Sequence, residues 1–181
     1  MTEKATLAGG CFWCTEAIFR RIKGVLSVTP GYSGGTTENP TYEQVSSGES
    51  WHAEAIQIEF DPEKISFEKL LEIFFHTHDP TALNRQGADT GPQYRSAVFY
   101  HNEAQKKQTE KMIKNLNQTD VFGQKIVTEV TPFINFFPAE ESHLEYYEKN
   151  RNAPYCRVVI DPKIRKLLAE YREDLKPEMV K

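Results

Sequence analysis

Two cysteines three residues apart, Cys11 and Cys14, bracket the aromatic pair Phe12 and Trp13 directly behind Gly9 and Gly10 in the stretch GGCFWCTE. A thiol at the start of a helix meets the positive end of the helix dipole and unpaired backbone N–H groups, which favours the thiolate and lowers its pKa. Cys11 is thus a candidate nucleophile. Cys14, one helical turn on, is near enough to form a disulfide with an oxidised Cys11. The plainer alternative makes both thiols small buried hydrophobes at a strand–helix junction. Adjacent helix residues point about 100° apart, so Phe12 and Trp13 cannot both enter the core by one face, and at least one should stand beside the thiol as a wall. Such a wall suits a small apolar group, such as a methyl on sulfur.

The stretch AEAIQIEF alternates strictly, and counting by two places Glu54 with Ile56, Ile58 and Phe60 on the apolar face. A carboxyl buried there holds its proton near neutral pH and can serve as a general acid; a carboxyl at a fraying strand start would instead reach water. Tyr42 in NPTYE and Tyr94 in GPQYRS stand in turn-like contexts, as amphipathic fillers or as functional hydroxyls. Asp89 in RQGADTG is either an ordinary turn residue or part of the same chemistry. Cys11, Cys14, His76 and His78 also offer a zinc ligand set, although helical metal pairs prefer spacings of three or four. His78 is expected to continue a buried helix face instead, with His76 exposed.

These residues must be held by regular elements. KATLAGG reads as a strand, followed by a helix from Cys11 to Gly24; VLSVTPGYSGG and AEAIQIEFD read as strands two and three. SFEKLLEIFFHTH places Phe67, Leu70, Leu71, Phe74, Phe75 and His78 on one helix face, with Ser66 as N-cap. From Asp79 to Gln93 runs a loop of about 15 residues, a length that inside a compact domain points to function. RSAVFYH is a strand, Asn102 with Gln105 opens a polar helix to about Asn117, and IVTEVTP is another strand. AEESHLEYYEK and PKIRKLLAEY, the latter started at Asp161–Pro162, predict two more helices, with RVVIDPK as strand leading into the second. The order β-α-β-β-α-β predicts an α+β two-layer sandwich with a ferredoxin-like split β-α-β core and a C-terminal helical extension, one domain over 1–181.

With 181 residues, the chain is long enough to bury a core without disulfide staples. Three cysteines form no paired framework, so Cys11, Cys14 and Cys156 are expected free, metal-bound or redox-active. The net charge of -4 excludes a typical nucleic-acid surface, and no apolar run is long enough to span a membrane. A soluble, unprocessed, cytoplasmic monomer is the expectation.

GCFWCTE, GYSGG, NPTY, HAEAI, HDPT, NRQGADTGPQYRS and FFPAEESH, in this order, resemble the peptide methionine sulfoxide reductases of the A type, and the likeness covers most of the chain. The resemblance implies thiol-dependent reduction of methionine-(S)-S-oxide, free or protein-bound, through a sulfenic acid at Cys11. It implies Glu54 as the acid, Tyr42 and Tyr94 as donors to the sulfoxide oxygen, and Phe12 and Trp13 as the pocket for the S-methyl group. Asp89 matches the acidic residue of the adjoining hydrogen-bond network. The sequence departs from the family at two places: position 14 is usually glycine, and no glycine-rich tail follows Cys156 in NRNAPYC. Both departures favour Cys14 as the resolving thiol, with Cys156 as an alternate or second relay. Thioredoxin or a similar dithiol is the implied reductant, with no organic cofactor or metal. The competing expectations are a thiol peroxidase using the same cysteine and a small zinc-binding interaction domain.

Overall fold

The computed structural model describes residues 1–180. Its elements run β1 (Glu3–Gly9), α1 (Phe12–Phe19), β2 (Val25–Ser33), α2 (Tyr42–Ser46), β3 (Ala53–Phe60), α3 (Phe67–Thr77), β4 (Arg85–Gln86), β5 (Asp89–Thr90), β6 (Ser96–Tyr100), α4 (Glu103–Thr119), β7 (Glu129–Pro132), β8 (Phe137–Pro138), α5 (Tyr146–Lys149) and α6 (Asp161–Tyr171). The main sheet has the order β7-β6-β1-β3-β2-β8. Its four central strands are antiparallel, β1 lying between β6 and β3, and β3 between β1 and β2. With α1 and α3 as crossovers, this is the expected ferredoxin-like α+β core; β7 adds a parallel strand at one edge and β8 a short antiparallel one at the other.

The period of two along β3 decides what each face meets. Ile56, Ile58 and Phe60 enter the main core with Phe12 and Phe19 of α1, Leu70 and Phe74 of α3, and Leu167 of α6. Ala53 and Ala55 face the other way, into a smaller cluster with Ala8, Ala97 and Phe99, which Phe133 and Phe136 cover. Glu54 therefore lies on the helix-covered side and is 2% exposed. The face forecast for α3 is buried from Phe67 to Phe75, and Ser66 caps it by accepting from the Lys69 N–H at 3.1 Å, a contact worth about 1 kcal/mol.

Several elements differ from the sequence pattern, each through a tertiary contact. Helix α1 stops at Phe19 rather than Gly24, because the Lys23 N–H bonds the Asp174 carbonyl and the Arg21 carbonyl accepts from Lys176. The stretch from Asp79 to Gln93 is no plain loop: β4 and β5 form a small hairpin, and a 3-10 turn spans Pro92–Tyr94. Asn102 caps α4 through the Gln105 N–H, yet the Gln105 side chain accepts from His101 rather than closing a reciprocal box. The helix expected over AEESHLEYYEK is broken into a 3-10 turn at Glu141–His143 and the short α5, since Leu144 between them is extended and Glu145 left-handed, with φ 55°. Finally, residues Cys156–Ile160 form a π-helical turn running into α6, not a strand. Single π turns inside helices are uncommon and recur near functional sites.

Candidate active site

Cys11 is the N-cap residue of α1, directly after the Gly9–Gly10 exit from β1. Gly10 has φ 92°, a left-handed turn that a residue with a Cβ resists, and Gln86 of β4 closes over it. This turn delivers the Phe12 N–H to Glu54 Oε2 at 3.0 Å. One backbone bond thus ties the start of α1 to β3 and sets the carboxyl beside the residue that follows Cys11.

Burial raises the Glu54 pKa to about 8, the Phe12 N–H pulling the other way and the charge on Asp89 adding to the rise. The carboxyl is predominantly protonated at neutral pH, as its strand parity implies. Burial likewise raises Tyr42 and Tyr94, and in both the next cause is the Glu54 charge. Cys11 feels the same charge. The one carboxyl thus bears electrostatically on a thiol and two phenols.

The thiols behave differently from the expectation of a lowered Cys11. Cys11 is 7% exposed, and burial pushes its thiol up, with the neighbouring Cys14 thiol and the Glu54 charge adding to the effect. The eight-residue helix behind it supplies only a fraction of a charge, which does not offset that desolvation. Cys14 is the lowered thiol: the neighbouring Cys11 thiol is the chief cause, with the Lys163 charge adding to it, so its pKa falls to about 7 against the cost of burial. The proton is thus held on Cys11 and the charge first develops on Cys14.

Phe12 is fully buried, 5.7 Å from the Tyr32 ring, 5.4 Å from His143 and 6.5 Å from Tyr42 between centroids. Trp13 is half-buried, stacks on Tyr146 at 3.7 Å and donates its indole N–H to His143 Nδ1 at 3.1 Å. The two rings diverge as their spacing requires, one into the core and one into an aromatic wall. Tyr42 is the first residue of α2 rather than part of a turn, capped by Thr41, and its N–H bonds Glu140 Oε2 at 3.0 Å. Glu140 also accepts from the Tyr32 hydroxyl at 2.9 Å. Asp89 accepts from the Tyr155 hydroxyl at 2.7 Å, and that hydroxyl lies 3.9 Å from Cys14 Sγ. Cys156, next to Tyr155, is fully buried and its thiol is raised by burial, with the charges of Asp161 and Cys14 contributing.

Hydrogen bonds and ring contacts connect Cys11, Phe12, Trp13, Cys14, Tyr42, Glu54 and Asp89 by way of His143 and Tyr155, whereas Tyr94 and Cys156 are related to them only through charge. Pattern reasoning missed Tyr32, Glu140, His143, Tyr146 and the Tyr155 hydroxyl. Glu140 and His143 lie inside FFPAEESH, Tyr32 inside GYSGG and Tyr155 inside NRNAPYC, but no periodicity distinguishes them from core or surface residues. The histidines considered for zinc turn elsewhere: His78 bonds the Phe74 carbonyl and the Ser96 hydroxyl through its two ring nitrogens, and His76 Nδ1 bonds the Tyr171 hydroxyl. Among the described residues, no three His, Cys, Asp or Glu side chains converge as a metal set. Nor is any helix there long and apolar enough to cross a membrane.

A ferredoxin-like α+β core that gathers two thiols, a protonated carboxyl and phenols at one strand–helix junction defines an oxidoreductase of the cysteine-dependent class. Residues 3–176 match the family described as peptide methionine sulfoxide reductase, and the chain belongs to it. Peptide methionine sulfoxide reductase MsrA of Sulfolobus acidocaldarius is 56% identical over 169 residues, 93% of this chain and 95% of that one. Among solved structures, Mxr1 of Saccharomyces cerevisiae in reduced form is 36% identical with a TM-score of 0.78, the match covering 86% of this chain and 89% of that one. Mxr1 in complex with Trx2 matches with 29% identity and a TM-score of 0.56, covering 80% and 84%.

Proposed function

We propose that the protein, as a single cytoplasmic domain, reduces the S epimer of methionine sulfoxide, free or within a polypeptide, using Cys11 as nucleophile and Glu54 as acid. The observation that carries this reading is the buried, protonated Glu54 bonded to the amide next to Cys11. A sulfoxide sulfur is a poor electrophile until its oxygen is protonated or hydrogen-bonded, so thiol and acid must act on adjacent atoms.

In the first step Cys11 passes its proton to the Cys14 thiolate and its sulfur attacks the sulfoxide sulfur. Glu54 gives its proton to the sulfoxide oxygen, and the hydroxyls of Tyr42 and Tyr94, kept protonated by burial, donate to that oxygen as charge develops on it. The S–O bond then breaks and the oxygen, carrying the proton from Glu54, transfers as hydroxide to Cys11 Sγ; the bond between the two sulfurs breaks with its electron pair going to the methionine sulfur, so that methionine leaves reduced and Cys11 holds the oxygen as sulfenic acid. Phe12 and Trp13 with Tyr146 hold the S-methyl group, and Asp89 orients the Tyr155 hydroxyl beside the thiols. Cys14 then loses its proton and attacks Cys11 Sγ; an S–S bond forms and the oxygen leaves as water. Cys156, buried on its π-helical turn, serves in this reading as a second thiol that exchanges with this disulfide once the turn rearranges. A thioredoxin-type dithiol returns both cysteines to thiols, a reading supported by the Mxr1 complex with Trx2. None of these steps needs an organic cofactor or metal.

The test supplies the purified protein with a dithiol reductant and the separated epimers of N-acetylmethionine sulfoxide. Consumption of the S epimer alone is expected. Equal consumption of both, or of neither, sinks the reading.

A further inference from the structure

The carboxylate of Glu16 is 2% exposed, yet nothing in the chemistry above uses it. It lies on α1 two residues beyond Cys14, and both its oxygens accept from the backbone N–H of Glu145, at 2.9 and 3.1 Å. Glu145 is left-handed and, with extended Leu144 before it, breaks the helix expected over 139–149. Its own side chain pairs at 3.1 Å with Arg20, the C-cap residue of the same helix. A left-handed conformation at a non-glycine residue costs on the order of 1 kcal/mol or more and persists only where surroundings hold it. Here the holding group is identifiable: the reversal at Glu145 turns its N–H inward to a buried acceptor.

The reversal has a consequence for the aromatic wall. His143 precedes it by two residues and takes the Trp13 indole N–H; Tyr146 follows it by one and stacks on the same indole. Unbroken helix through these positions would place His143 and Tyr146 three residues apart at fixed helical spacing, without the bend that sets them around one ring. The upstream end of the segment is pinned separately by Glu140 to Tyr32 and Tyr42. Glu16 is the matching pin at the downstream end.

We propose that Glu16 is a positioning residue: by clamping the Glu145 amide it sets His143 and Tyr146 against Trp13 and so shapes the pocket for the S-methyl group. The clamp stands on geometry alone, whereas its effect on substrate rests on the function proposed above.

The test uses the full chain carrying Trp51→Phe, so that indole emission reports Trp13 only. Glu16→Met removes the acceptor at similar volume, and Glu16→Gln keeps one acceptor oxygen. Without substrate, Glu16→Met is expected to shift Trp13 emission to longer wavelength. It should also raise KM for methionine sulfoxide about fivefold or more, the loss of one hydrogen-bonded contact, with kcat changed less than about twofold. Glu16→Gln should restore emission and KM. Unchanged emission in Glu16→Met, or equal damage in Glu16→Gln, overturns the clamp. A shift in emission with unchanged KM overturns the pocket role, and a parent protein without reductase activity fails the functional reading while leaving the emission result decisive for the clamp. Should Glu16→Met not fold, amide exchange in the unaltered chain decides: the Glu145 N–H should exchange about 100-fold slower than that of exposed Ser142, and equal rates overturn the proposal.

Discussion

The Phe12 N–H donates to Glu54 Oε2 at 3.0 Å, joining the first residue of α1 to the second residue of β3. A helix start has free N–H groups and ordinarily attracts an ionised carboxylate. This one meets a carboxyl so deeply buried that desolvation outweighs the bond, and the acid keeps its proton at neutral pH. The bond occupies one oxygen and leaves the other free to carry the proton. Position and protonation state thus come from the same packing of α1 on the sheet.

Glu54→Gln keeps the shape and an acceptor for the Phe12 N–H but has no acidic proton. Reduction of methionine sulfoxide should fall by about 100-fold or more in kcat, the usual range for a lost general acid. Peroxide reduction by Cys11, which needs no such acid, should largely survive. Parallel assays on both substrates check this, and sulfoxide reduction unaffected by the change removes Glu54 from the acid role. In the unaltered protein the acid form is present below the folded pKa of about 8, so kcat/KM should decline as pH rises through that value.

The same group makes stability depend on pH. An acid whose folded pKa stands above its unfolded value favours the fold while both states are protonated, and that advantage is lost as pH rises from the unfolded pKa through the folded one. For Glu54 the window runs from the ordinary carboxyl value of 4.5 to about 8. The whole shift corresponds to at most ~5 kcal/mol. Thermal melts across this window should show the unaltered protein losing stability relative to Glu54→Gln, the gap widening with pH. A constant gap contradicts the burial of an ionising carboxyl. Glu16, raised by burial to about 7, adds a loss of the same sign in both proteins, and the comparison cancels it.

Much of this was legible in the chain, and what was not has a common cause. The period of two along β3 carried Glu54 to the covered face, and the period of 3.6 gave α3 its buried stripe, because each pattern is repeated over a whole element. Helix α1 ending at Phe19, the break at Glu145 and the π turn at Cys156 each depend on one contact between residues far apart in sequence. No local pattern encodes such a contact. The direction of the Cys11 shift failed for a related reason: helix position is local, whereas the desolvation that outweighs it comes from the surrounding fold.

The thiolate should therefore belong first to Cys14. Ultraviolet thiolate absorbance of the reduced protein should titrate with a midpoint near 7. Cys14→Ser should abolish that step, leaving Cys11 to ionise only at higher pH. Cys11→Ser should retain it, since the serine hydroxyl can still donate to the Cys14 sulfur. A midpoint near 7 that survives in Cys14→Ser and disappears in Cys11→Ser reverses the assignment.

The resolving step distinguishes the two remaining thiols. Cys14 lies one helical turn beyond Cys11, its N–H bonding the Cys11 carbonyl at 3.1 Å, whereas Cys156 is fully buried on a π-helical turn of a segment far away in sequence. After one turnover without reductant, peptide mapping should find Cys11 joined to Cys14. In Cys14→Ser the sulfenic acid should persist longer, and any Cys11–Cys156 bridge should form slowly. Tyr155→Phe, which removes the hydroxyl bonded to Asp89, should speed that slow bridge by loosening the segment that carries Cys156. A Cys11–Cys156 bridge found first in the unaltered protein would mean that the π turn opens faster than Cys14 can attack across its existing contact, and the local order of steps would have to be abandoned.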